Sequence, residues 1–143
     1  MSGIAGGLAA KEIENILFFL LAGALTGDPI EWVRERNMIR CRAERNGLIW
    51  EIDCRAVRGR FECYGRYPFA VTDRETALRR CNEINLLTAA GAMLLPEDGR
   101  PTFRTVAALD DIYGADARMR QAMEDNARAI VRYWGTLAQC AGG

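Results

Sequence analysis

At 143 residues the chain has the size of one ordinary domain and leaves little room for a second. Half of its residues are hydrophobic and 27% are charged, which excludes a disordered tail and a membrane bundle. Nineteen basic side chains balance nineteen acidic ones, so no global charge draws the chain to nucleic acid or acidic lipid, and the absence of histidine removes the commonest general base and metal ligand.

The first predicted element is a helix from about Ala9 to Thr26, with Ile13, Ile16, Leu17, Leu20, Leu21 and Ala24 at helical spacing. Gly27 supplies a left-handed stop and Pro29 forbids continuation. Its greasiest stretch, from Ile16 to Leu25, is about half the length that spans a bilayer. Glu12 and Glu14 stand where the core of a signal peptide would be preceded by positive charge, so a cytoplasmic location is expected. Phe18, Phe19 and Leu25 widen the apolar stripe beyond one face. Adjacent helical residues point about 100° apart, so the two phenylalanines cannot share the centre of one contact. That surplus predicts a homodimer with Phe18, Phe19 and Leu25 at the interface.

Two turn signals follow. Asn46-Gly47 is the dipeptide of a type I′ hairpin, and Arg58-Gly59 is a second two-residue turn. Together they set a register. Ala43 faces Trp50, Cys41 faces Ile52, Ile39 faces Cys54, Cys54 faces Cys63 and Ala56 faces Phe61. On the other face Arg42 meets Glu51, Arg40 meets Asp53, Arg55 meets Glu62 and Glu51 meets Arg66. The sorting into an apolar face and an opposite-charge face predicts a three-stranded antiparallel meander with one side buried.

A second helix is expected from Thr72, where Thr72-x-x-Glu75 reads as a capping box, with Ala77, Leu78, Cys81, Ile84 and Thr88 inward and Gly91 at its end. Pro96-Glu97-Asp98-Gly99 is a turn between two short strands, 92–95 and 102–106. A third helix is expected from an N-cap at Asp116 to Cys140, striped by Met119, Met123, Ile130, Trp134 and Leu137 and interrupted by Asn126. The segment from Ala107 to Gly114 carries no clear pattern. The predicted class is α+β, an antiparallel sheet of about five strands with three helices in the order α-βββ-α-ββ-α, in a single domain.

This order, with a middle helix carrying Asn82-x-x-Asn85 ahead of a Pro-Glu-Asp-Gly hairpin, resembles the YbjN-like family, whose fold is similar to that of the class I type III secretion chaperones. The resemblance covers nearly the whole chain and rests on topology and short patches. It implies a non-enzymatic, often dimeric domain that holds another protein or serves in regulation, with Asn82 and Asn85 as its most specific residues. Chaperones of this shape are usually distinctly acidic, whereas the sequence pI here is near 6.3, which favours the looser YbjN-like label.

Each candidate site has a plain structural alternative. Cys54 opposite Cys63 is a cross-strand disulfide of a redox sensor, or two small buried hydrophobes. An odd count of five cysteines fits a reducing compartment. Residues 32–71 hold nine arginines and five carboxylates with Trp32, Trp50 and Tyr64 among them. That is a platform for stacking bases and tracking phosphates, or a solvated face laced with ion pairs. The register assigns partners to Arg40, Arg42, Arg55 and Arg66, which weighs against nucleic acid. Asn82, Asn85 and Asn126 line a ligand pocket, or satisfy the backbone of a neighbouring loop. Asp110-Asp111 and Glu124-Asp125 lack the spacing of a calcium loop. No catalytic, metal or cofactor-binding set is assigned. The expected function is a protein-binding module that accepts a partner's segment in an apolar groove or on a sheet edge. The competing reading is a regulator responding to a small molecule or nucleic acid through the arginine-rich sheet.

Overall fold

The computed structural model describes residues 31–33, 38–57, 59–109 and 112–142. They form an α+β domain around one antiparallel sheet. The strands are β1 (Glu31–Val33), β2 (Met38–Arg45), β3 (Leu48–Val57), β4 (Arg60–Arg66), β5 (Ala92–Leu94) and β6 (Thr102–Ala108). They lie in the spatial order β1-β2-β3-β4-β6-β5. The helices are α1 (Arg74–Leu87), α2 (Ile112–Arg132) and α3 (Trp134–Ala138). The expected helix at 9–26, and with it Phe18, Phe19 and Leu25, lies outside the described residues.

The meander follows the expected register. Asn46 and Gly47 both have positive φ, 55° and 79°, as a type I′ turn requires. Ala43 pairs with Trp50, Ile39 with Cys54, Cys54 with Cys63 and Ala56 with Phe61. Gly59 turns at φ 76°, so that Val57 pairs with Arg60 across two residues. The sheet also takes in β1, a three-residue strand ahead of the meander that carries no turn signal of its own. Residues 92–94 and 102–108 form the second hairpin, and Gly99 closes its turn at φ 80° with its N–H donated to Pro96 O at 3.0 Å.

The helices of the described residues cover one face of the sheet. Trp50, Ile52, Phe61, Phe103 and Tyr67 project from it against Cys81 and Ile84 of α1 and Met119, Met123 and Ile130 of α2. Each large side chain so buried contributes about 1.5–3 kcal/mol of transfer free energy. Three polar side chains tie α2 to the sheet and to the residue that follows β4. Tyr67 donates its hydroxyl to Ile130 O at 2.8 Å, Thr105 donates to Ala122 O at 2.8 Å, and Asn126 Nδ2 donates to Cys63 O at 3.0 Å and Phe103 O at 2.8 Å. Asn126 therefore interrupts the apolar stripe because its amide ties two neighbouring strands together.

Several expectations are corrected. The cap of α1 is Asp73, whose carboxylate accepts from the Thr76 N–H at 3.1 Å, while the Thr72 hydroxyl and N–H both turn to Cys140 O. The carboxylate one residue later is the better placed acceptor, so no Thr72–Glu75 box forms. Leu78 is not on the inner face. It is 49% exposed, because the core side of α1 is filled by residues 77, 81 and 84. The third helix begins at Ile112, four residues before Asp116, and stops at Tyr133 before a separate five-residue turn of helix. That second piece seats Trp134 against Tyr67 and Phe69, with ring centroids 5.3 and 5.8 Å apart. The unassigned segment after Ala107 completes β6, buries Leu109, and enters α2.

Candidate functional site

Strand alternation places charge on the sheet face turned away from these helices. Arg40, Glu51, Asp53, Arg55, Arg60, Glu62, Tyr64, Arg66 and Arg104 share it across β2, β3, β4 and β6. The solvated face expected from sequence is corrected here, because Asp53 is 3% exposed and Glu62 only 1%. Guanidiniums from β2, β3, β4 and β6 converge on the two carboxylates. Asp53 sits between Arg40 Nε at 2.8 Å and Arg66 Nη2 at 2.5 Å, and Glu51 also pairs with Arg66 at 3.3 Å.

Glu62 is the hub of a second group. Its Oε1 accepts from Arg55 Nε at 2.6 Å, and its Oε2 accepts from Arg60 Nε at 3.1 Å and Arg104 Nη2 at 2.9 Å. Burial pushes its pKa up, but hydrogen bonds from Arg104 and Arg55 and the charges of Arg55 and Arg60 outweigh that and hold it at about 2. The same contacts raise Arg55 and Arg104 above the ordinary guanidinium range. Tyr64 lies between these two arginines, whose guanidinium carbons sit 5.9 and 6.0 Å from its ring centroid. These cations occupy the ring as cation–π partners, which counts against a base-stacking platform. Trp50, the other aromatic of that reading, is buried on the opposite face at 2% exposure.

Beside Arg55 the face opens into a cleft of about 380 Å³, whose lining includes Tyr64, Arg66 and Asp53 together with Met38, Leu94 and Pro96. Neither Asn82 nor Asn85 lines it. Asn85 instead exchanges two hydrogen bonds with the backbone of Met93, and Asn82 is exposed on the outer surface of α1. Leu78, Asn82 and Leu86 recur four residues apart, so they form one outward stripe along α1. Leu86 is 79% exposed and the neighbouring Leu87 75%. This stripe is the part of the surface that sequence patterning misassigns, since Leu78 reads as core by hydrophobicity.

Cys54 and Cys63 face each other as expected and both lie fully inside the core. Burial pushes the Cys81 thiol up, helped by the neighbouring Cys140. Glu124 is held by Arg45 at 3.0 Å and Arg128 at 3.5 Å, and Asp125 accepts from Gln121, so this carboxylate pair is engaged in ordinary surface contacts. Asp110 and Asp111 lie outside the described residues. Among the described residues no group of three or more acidic or cysteine side chains gathers as a metal site, and no helix is long and apolar enough to cross a membrane. Comparison with protein-family models, with curated proteins and with solved structures found no match.

Proposed function

We propose that the chain is a non-enzymatic protein-binding module of the YbjN-like, secretion-chaperone-like kind, acting in the cytoplasm. The observation that carries this reading is the Leu78–Asn82–Leu86 stripe, with Leu87 beside it, turned to solvent on a helix that already fills its own core side. Leucines exposed together along one helix are the surface that an amphipathic segment of another protein covers. The stripe includes Asn82, one of the two most specific residues of a family resemblance that rests on topology and short patches. A sheet-edge mode at β5 is disfavoured, because Asn85 occupies the backbone groups of Met93 that an added strand would use.

Co-purification from the native cell with mass spectrometry tests the proposal. A stoichiometric protein recovered with the wild type and lost with Leu78→Asp/Leu86→Asp supports it. Both leucines are exposed, so that variant should keep its fold. Recovery of a metabolite or nucleic acid, with no protein lost in the variant, overturns it in favour of a ligand-responsive regulator. A homodimer belongs to the same proposal, and light scattering tests it. A clean 15.9 kDa species at high micromolar concentration would remove it.

A further inference from the structure

The arginines around Glu62 outnumber the charge they share. Arg55, Arg60 and Arg104 come from three adjacent strands and converge on one carboxylate, which leaves a surplus of two positive charges among the described residues. The nearby Asp53 and Glu51 do not offset it, since they are engaged by Arg40 and Arg66. Arg55 and Arg60 each commit Nε to Glu62, while Arg104 commits Nη2 to Glu62 and Nε to the Tyr64 hydroxyl at 3.3 Å. A guanidinium carries five N–H donors in a planar fork, so the cluster has more donors than its contacts to Glu62 and Tyr64 among the described residues use. They are reachable, because the three side chains are 36%, 53% and 33% exposed.

Three cations held this close repel one another, and a single carboxylate relieves that repulsion only in part. Glu62 acts as the anchor that keeps their forks converged, which is the arrangement that binds a compact tetrahedral oxyanion. We propose that Arg55, Arg60 and Arg104, organised by Glu62, bind the phosphoryl dianion of a small phosphate monoester. The dianion matches the surplus charge. The cleft that opens beside Arg55 gives the organic part of the molecule a place against Met38, Leu94 and Pro96. The site lies on the opposite face of the sheet from the helices of the described residues, so it does not rest on the partner-binding reading.

The test follows the arginine Nε–Hε resonances of labelled protein during titration with inorganic phosphate and, separately, with phenyl phosphate, at constant ionic strength. Saturable shifts at Arg55, Arg60 and Arg104 are expected, with phenyl phosphate the tighter ligand. Arg60→Gln should weaken both about tenfold, the loss of one charge-assisted contact, in a variant that still gives the folded spectrum at the temperature of the titration. Equal affinity for the two ligands would overturn the role of the cleft. Failure to saturate by tens of millimolar would overturn the site itself. So would undiminished binding by Arg60→Gln, or equal shifts at Arg74 and Arg79 on α1, which would mark general screening.

Discussion

Asn85 on α1 engages both backbone hydrogen-bonding groups of Met93 on β5. Its Nδ2 donates to the Met93 carbonyl at 3.0 Å and its Oδ1 accepts from the Met93 N–H at 2.6 Å. A side-chain amide carries the same donor and acceptor pair as a strand residue, so Asn85 acts as a one-residue strand closing the sheet edge where β5 lies outermost.

Asn85→Ala is therefore expected to cost about 1–2 kcal/mol in urea melts, the net worth of two hydrogen bonds whose partners regain only partial contact with water. The same variant exposes an edge, so size-exclusion chromatography should show association that rises with concentration. A variant of unchanged stability that stays monodisperse to the same limit as the wild type would show that the edge is protected in another way.

Gly65 and Asn126 make a second matched pair. A Cβ at position 65 would collide with Asn126 Oδ1 and would lie 2.8 Å from Ile130 Cγ1. Glycine is required there by close approach of the helix rather than by backbone conformation. Gly65→Ala should destabilise by about 1–3 kcal/mol through overpacking. Asn126→Ala should cost a similar amount, because it strands the buried carbonyls of Cys63 and Phe103. The two effects should be markedly sub-additive in the double variant, since removing the amide makes room for the methyl. Simple additivity in equilibrium unfolding would contradict the contact.

Local signals in the sequence carried the meander well. Asn46-Gly47 and Arg58-Gly59 are short-range turns, and once they are placed the pairing of residues 39–66 follows by counting. The outer face was legible only in part for the same reason. Arg55 opposite Glu62 comes from the second turn, but Arg104 reaches Glu62 through the pairing of β4 with β6, and no local rule connects residues 42 apart. Without that third arginine, Glu62 reads as half of an exposed ion pair instead of a buried hub. The misplacement of Leu78 has another cause. Hydrophobic periodicity cannot tell a core leucine from one turned toward solvent when the helix has apolar residues on both sides.

The two faces of the meander respond differently to substitution. Trp50 is 2% exposed, so Trp50→Asp places an unpaired charge in the core and should abolish the thermal transition. Arg42 lies on the exposed side opposite Glu51, and Arg42→Ala should change stability by no more than about 1 kcal/mol. The reverse ranking would mean that inside and outside are exchanged.

Glu62 should contribute to the acid limb of stability. Its carboxyl is held at about 2, against an ordinary value of 4.5, because the hydrogen bonds and charges of the surrounding arginines outweigh the burial that opposes them. A group whose folded pKa lies below its unfolded one gives stability that is fully present above the unfolded value and is lost as pH falls through the folded value. The contribution of Glu62 should therefore be constant above about pH 5.5, decline from about pH 4.5, and be gone by about pH 1. Glu62→Gln should start lower at neutral pH, because three guanidiniums lose their shared anion, and its melting temperature should fall less steeply between pH 5 and 2. Arg104→Gln should act in the same direction with smaller effect, since Arg55 and Arg60 still face the carboxylate. Thermal melts of the three proteins across that range decide the matter. Parallel acid limbs in wild type and Glu62→Gln would mean that other carboxylates carry the acid sensitivity and that the arginines do not depress Glu62.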